Sequence, residues 1–340
     1  LVWSDIVRAS MSNTIPATYL QLVRTAWVYI ASGALRRLMW LRKGPVIAAL
    51  YPVGMLLVQA VVALVLGLTA GAALVALGNW ALRPTGFGLG ALAPFFRWPL
   101  ALAVVVLVLR WFKRQDGRFF AYYLMHDYAY SARFRGANPP ELEARMAEFA
   151  KIIAGALAED HDEVLVVGHS SGAHLAVAIL ADLIRSGRVP ANGPKLGFLS
   201  LGQVVPMVSF LRGADRLRAD LHYLSARDEL TWVDVTAPGD GCAFALCDPV
   251  SVSGVAPEGK RWPLVFSAQF TRSLSPERWK ELRWKFFRLH FQYLCAFDRP
   301  GDYDYFRITA GPTTLGARFD GRVPSKSRIE TPVNRYRSVA

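Results

Sequence analysis

From Gly44 to Leu82 no side chain carries a charge, and this run constrains the fold more than any other feature of the chain. Its first stretch, Val46 to Leu66, exceeds the roughly 20 residues that an α-helix needs to cross the hydrocarbon of a bilayer. A transmembrane helix is therefore expected over about 46–68, with Pro52 tolerated where neighbouring helices satisfy the carbonyl it frees. The following residues, Gly67 to Gly90, are rich in glycine and contain Arg83 and Pro84, so the chain is expected to turn there at the far surface. A second span is expected over about 91–112, around the apolar core Pro99 to Leu109. Arg97 belongs near an interface in this reading, because a charge deep in hydrocarbon costs roughly 2.5–3.5 kcal/mol. Trp40, Trp80, Trp98 and Trp111 lie near the ends of the apolar runs, where indole rings favour the headgroup layer.

The charge distribution agrees with a hairpin in lipid. Of the net +13, the residues before 119 supply +10, from twelve bases set against Asp5 and Asp116. Arg36, Arg37, Arg42 and Lys43 precede the hairpin, and Arg110, Lys113, Arg114 and Arg118 follow it. By the positive-inside rule both ends face the cytoplasm, so the expectation is a multi-pass protein of the inner (plasma) membrane with its remaining domain on the cytoplasmic side. Bases that flank apolar runs suit anionic lipid, whereas nucleic-acid binding calls for bases on a soluble face interleaved with aromatics; the bilayer is the expected partner and nucleic acid is not. A hydrophobic fraction of 53% is high for a wholly soluble chain.

Arg24, Arg36 and Arg37 interrupt the apolar stretches of the first forty residues, and no compact apolar core ends there in a small-residue cleavage site, so no removable export signal is expected. Tyr19 to Leu41 mixes apolar and basic positions at helical spacing and is expected to be an interfacial helix. The three cysteines, Cys242, Cys247 and Cys295, are too few for a disulfide framework or a two-pair zinc site.

Beyond Arg118 the pattern changes to short apolar runs separated by helical segments, the alternation expected of a parallel sheet. Strands are expected at Phe119 to Met125, Glu163 to Val167, Gly197 to Leu201, Leu230 to Thr236 and Pro263 to Phe270. Helices are expected at Pro140 to Leu157, Ala173 to Ser186, Ala214 to Ala226 and Pro276 to Cys295. The resulting organisation is an N-terminal interfacial segment (1–43), a transmembrane hairpin (44–115), an α/β domain with a mostly parallel sheet and helices on both faces (116–310), and an irregular basic tail (311–340).

Within this domain, the run Val164 to Val167 reads as a fully buried strand that meets Gly168-His169-Ser170-Ser171-Gly172 and passes straight into an amphipathic helix from Ala173. A serine on a strained strand-to-helix turn needs small neighbours two residues before and two after it, and both are glycine. Such a turn lifts the Ser170 hydroxyl above the sheet, with the Ser171 amide and the positive end of the helix facing any developing oxyanion. This segment resembles the nucleophile elbow of the α/β-hydrolase superfamily, particularly lipases and esterases reading Gly-His-Ser-x-Gly. The resemblance is specific at residues 163–180 and architectural from 119 to 295.

What the resemblance implies is a Ser-His-Asp triad in the chain order nucleophile, acid, histidine. For the acid, Asp240 in the Ala-Pro-Gly-Asp-Gly loop past Leu230 to Thr236 is similar to the family's acid-bearing loop. Asp234 in mid-strand is the alternative, although a carboxylate there is buried and costly without a partner; Asp248, before Pro249, is a third choice. The base is then His290, the one histidine after Asp240, set on a helical face with Leu282, Phe286 and Tyr293. His126 is the alternative base; His169 and His174 read as packing residues. The second oxyanion donor of the family comes from a loop after an earlier strand, here His126-Asp127-Tyr128, with Asp127 where the family has glycine. The implied function is a serine esterase or lipase acting on a small-molecule or lipid ester. The alternatives are a catalytically silent membrane interaction module of the same fold, or an acyltransferase using the same serine. No cofactor is expected, and neither paired ligand spacing nor a Gly-rich phosphate loop points to a metal or nucleotide.

Overall fold

The computed structural model describes residues 1–3, 5–6 and 14–339, with the side chain of Asp127 outside the described set. Residue 4 and residues 7–13 of the expected N-terminal segment lie outside the described residues. The chain divides into two compact units, one of residues 1–9, 25–48 and 130–340 and the other of 10–24 and 49–129. In order, the longer elements are α1 (Ile15–Ala31), α2 (Ala34–Leu41), α3 (Lys43–Leu82), α4 (Ala93–Arg114), α5 (Ala121–Arg133), α6 (Pro140–Leu157), β1 (Glu163–His169), α7 (Gly172–Arg185), β2 (Lys195–Leu201), α8 (Asp215–Leu224), β3 (Leu230–Thr236), β4 (Leu264–Ser267), α9 (Pro276–Leu282) and α10 (Phe286–His290).

In the unit of residues 10–24 and 49–129, most of α3 and all of α4 form two helices long and apolar enough to cross a membrane. The turn expected over Gly67 to Gly90 starts later, at Arg83, and α3 continues through the glycines. At 40 residues α3 is about 60 Å long, roughly twice the hydrocarbon thickness of a bilayer. The glycines serve packing: a Cβ on Gly67 would lie 2.6 Å from the Ala101 carbonyl oxygen, and one on Gly71 would lie 2.6 Å from that of Arg97. Two glycines four apart let helix backbones approach closely, the main device for association in lipid.

The strand expected at Phe119 to Met125 is instead the end of a short helix (Asp116–Phe119), Phe120 in the left-handed region and the start of α5. Its aromatic residues favour strands in isolation, but Ala121, Tyr122, Met125 and Ala129 are buried together at helical spacing with Leu22 and Leu56. The Asp116 carboxylate accepts hydrogen bonds from the amides of Tyr122 (2.9 Å) and Tyr123 (3.0 Å), satisfying two donors that the first turn of a helix leaves free.

The other unit carries one sheet of four parallel strands in the order β1-β2-β3-β4. Strict sequence order places β1 at an edge, which is why its residues are half-buried and not fully buried as the branched run suggests. Alternate residues point to opposite faces. Leu165, Val167, Leu199, Leu201, Val233, Val235 and Phe266 share a core with Phe270, Leu282, Leu289, Tyr293 and Phe319 from the C-terminal segment. Helix α7 packs on β1 between α6 and α8. The expected irregular tail is pinned: Ser325 donates to the Val265 carbonyl, Ile329 bridges Cys247, and Asn334 is buried.

Candidate active site

In a parallel sheet every strand ends on the same side, and ligands meet the carboxyl ends of the strands. Here that edge gathers three loops. Ser170 directly follows β1, Asp240 lies just past β3, and His290 ends α10, in the chain segment after β4.

Ser170 has φ of +55°, the left-handed region that non-glycine residues seldom enter. Its amide donates to the Leu201 carbonyl (2.9 Å) and its own carbonyl accepts from Ala173 (3.1 Å), so the strained conformation is held from both sides. Gly168 is required by the turn, because a Cβ there would sit 2.9 Å from Ala173 Cα and 2.9 Å from the Gly172 carbonyl oxygen. The other expected glycine requirement does not hold: a Cβ on Gly172 would meet nothing within 4 Å. Ser171 opens α7, where the amides of the first turn have no carbonyl four residues back and point outward with the positive end of the helix.

His290 Nδ1 lies 2.7 Å from Asp240 Oδ2, and both residues are buried. The carboxylate can only accept, so Nδ1 carries the hydrogen, and in the neutral tautomer this leaves the lone pair on Nε2. Asp240 is itself fixed. Its Oδ1 accepts from the Cys242 amide (2.8 Å), and Oδ2 also accepts from the Tyr293 hydroxyl (3.1 Å), which in turn accepts from the Ala237 amide (2.9 Å). Burial, reinforced by the Asp240 charge, pushes the Tyr293 phenol well above its ordinary range, so it remains a donor.

The His290 ring reaches the elbow side of the sheet. A Cβ on Gly202, which follows β2, would lie 3.2 Å from His290 Cε1 and 2.7 Å from Tyr293 Cε2, so only glycine allows both rings to close on the strand end. The His169 and His290 rings are 4.6 Å apart, and His169 Nε2 lies 2.9 Å from the His290 carbonyl. A carbonyl accepts only, so His169 donates from Nε2. Burial, with the neighbouring His290, pulls the His169 imidazole down to about 4, and it stays neutral at physiological pH. His169 and Tyr293, which the sequence suggests only as packing residues, thus hold the His290 carbonyl and the Asp240 carboxylate; the one sequence signal for His169 is its place next to Ser170.

The single helix expected over Pro276 to Cys295 is broken into α9, α10 and a 3-10 turn (Phe291–Leu294), with Arg283 to Lys285 between the first two. This break turns Leu289, His290 and Tyr293 inward and leaves Phe286 exposed, in contrast to the shared face expected.

The other candidates have different surroundings. Asp234 is fully buried in β3 and accepts from the Ser200 hydroxyl (2.5 Å) on one oxygen, its other oxygen has no hydrogen-bond partner among the described residues, and burial pushes its acid up to about 8. Asp248 caps a short helix, accepting from the Val250 and Ser251 amides and pairing with Lys260. His126 lies in α5 with Nδ1 buried and without a hydrogen-bond partner among the described residues, and burial lowers its basicity. His174 is a core residue pulled down to about 4 by burial. Asp127 requires a correction: it lies inside α5 and not on a loop after a strand. Amides within a helix bond to the carbonyl four residues back, so this one has no free hydrogen for an oxyanion.

Asp240, Cys242 and His290 are also the one group of metal-ligand types close together among the described residues, with ligand atoms within 4.8 Å of one another. The direct Nδ1 to Oδ2 hydrogen bond leaves no space for an ion between them, and burial pushes the Cys242 thiol up to about 12, away from the thiolate a metal needs. The arrangement fits proton transfer, not metal coordination.

No family model, curated protein or solved structure is similar to the chain at a significant level.

Proposed function

We propose that the chain is a membrane-anchored serine hydrolase that cleaves carboxylic esters. The observation that supports this reading is the buried His290–Asp240 pair, whose imidazole lies 4.6 Å from the ring of His169, the residue before Ser170 in its strained strand-to-helix turn. Serine is a weak nucleophile at neutral pH until a base takes its proton. Ser170 Oγ attacks the ester carbonyl as His290 Nε2 takes the hydroxyl proton, while Asp240 holds the imidazole through Nδ1 and stabilises its charged form. The Ser171 amide and the start of α7 face the negative charge on the carbonyl oxygen. His290 then gives the proton to the departing alcohol, and water releases the acid from Ser170 by the same steps in reverse order.

The two long apolar helices supply the anchor, with basic residues at both outer ends directing the α/β unit to the cytoplasmic face of the inner membrane. Hydrolysis of a short-chain chromogenic ester by the detergent-purified full chain tests the reading. Activity should be lost in both Ser170→Ala and His290→Ala; hydrolysis surviving in either would rule the mechanism out.

A second reading, a catalytically silent domain of the same architecture, is favoured by two observations. Among the described residues, β1 is a sheet edge with no strand beyond it to carry a loop with a second oxyanion donor, and the Ser170 hydroxyl has no hydrogen-bond partner. Serine–histidine contacts often tighten only with substrate bound. A folded wild-type chain inert toward esters and fluorophosphonates alike would select this second reading.

A further inference from the structure

Between α9 and the end of α10, Arg283, Trp284, Lys285, Phe286, Phe287 and Arg288 form six consecutive exposed residues, held at their ends by the buried side chains of Leu282 and Leu289. Trp284 is 73% exposed, and Phe291, just past His290, is 52% exposed. Large aromatic side chains grouped on a surface mark an interaction site, whereas scattered ones do not. Alternation of aromatic and basic residues is the composition of segments that lie in the headgroup layer of a bilayer.

Position identifies the occupant. Phe286 Cδ1 lies 3.5 Å from where a Cβ on Gly241 would be, next to the acid Asp240. On the other side, a Cβ on Gly44 would lie 3.0 Å from the Gly241 carbonyl oxygen, and Gly44 is in the first turn of α3, where the charge-free run begins. Arg42, directly before that turn, donates from Nε to the Ala245 carbonyl (3.0 Å). Phe286 and the first turn of α3 therefore approach the same glycine, at the point in the chain where the charge-free run begins. Arg283, stacked on Trp284 at 5.6 Å, and Arg288 give this surface positive charge, while Lys285 is paired with Glu281.

We propose that Arg283 to Arg288 is an interfacial anchor that enters the headgroup layer of the same anionic bilayer, so that the Ser170–His290 site opens onto lipid and its substrate is an ester resident in that membrane. The substrate part rests on the hydrolase reading above; the docking part does not. Each base near an anionic surface strengthens attraction about fivefold.

The test uses the full chain in nanodiscs containing phosphatidylglycerol. Brominated acyl chains should quench the Trp284 emission, read as the difference between wild type and Trp284→Phe; an unquenched difference signal would overturn the anchor whether or not the protein is an enzyme. In the second arm, Arg283→Glu/Trp284→Ser/Arg288→Glu should turn over a fluorescent phospholipid ester in the same nanodiscs at least tenfold more slowly than wild type. Its fluorophosphonate labelling in detergent should stay unchanged, which also reports that it is folded. Equal phospholipid turnover by the two proteins would overturn the proposal. A wild type that is quenched yet never labels would support the anchor and remove only the ester assignment.

Discussion

Replacing Asp240 with asparagine keeps the side-chain shape and changes which atoms can accept a hydrogen. The carboxylate accepts from the Cys242 amide on one oxygen and from His290 Nδ1 and the Tyr293 hydroxyl on the other. Asparagine has one acceptor oxygen. If that oxygen stays with the Cys242 amide, the amide nitrogen faces His290 and donates to Nδ1, so the ring hydrogen moves to Nε2. An imidazole in that tautomer cannot take a proton from Ser170. The equivalent exchange in a serine protease triad lowers kcat by about 10⁴, which corresponds to about 5.4 kcal/mol of transition-state stabilisation. Asp240→Asn is therefore expected to slow ester hydrolysis by about three to four orders of magnitude with KM little changed, and its thermal unfolding should stay close to that of wild type. A well-folded Asp240→Asn within tenfold of the wild-type rate would refute the role assigned to this pair.

Further outcomes follow from individual contacts. Gly168→Ala should destabilise the α/β unit by about 1–3 kcal/mol, because its Cβ would meet backbone atoms at 2.9 Å, while Gly172→Ala should be nearly neutral; paired thermal melts compare them. For Asp234, burial raises the folded-state acid from 3.8 to about 8, so between those values the native state keeps a proton that the unfolded chain has released. Stability should then fall by about 1.4 kcal/mol per pH unit across that window, and Asp234→Asn should lose this slope and be the more stable protein at pH 8; parallel melts of the two proteins from pH 4 to pH 8 with equal slopes would contradict it. Gly71→Leu should separate α3 from α4 and lower the melting temperature in detergent, since even its Cβ would lie 2.6 Å from the Arg97 carbonyl oxygen; an unchanged melt would show that the close approach contributes nothing.

Much of the α/β unit was legible because its signals are local. The strand at Leu230 to Thr236 and the helix at Pro140 to Leu157 fall where branched runs and helical periodicity put them, and the strand-to-helix turn at Ser170 is marked by the glycines of a five-residue run. The misreadings share a cause, which is that tertiary contacts decide what local propensity leaves open. Phe119 to Met125 looks like a strand until Leu22 and Leu56 supply a helical partner face. Gly67 and Gly71 look like a turn until α4 packs onto them. The edge position of β1 depends on strand order, to which the half-exposed residues of a single strand give no clue. The pairing of His290 with Asp240 was reachable by chain order, but Tyr293 was not: it joins Asp240 only because the chain breaks at Arg283 to Lys285 and the short helices that follow turn inward.

In the proposed mechanism one hydroxyl, that of Ser170, is activated by one imidazole, that of His290. Peptide mapping by mass spectrometry of the full chain after fluorophosphonate treatment addresses it directly, with the prediction that a single adduct appears on the peptide containing Ser170 and disappears in His290→Ala. An adduct on another serine, or undiminished modification of Ser170 in the folded His290→Ala protein, would contradict the account.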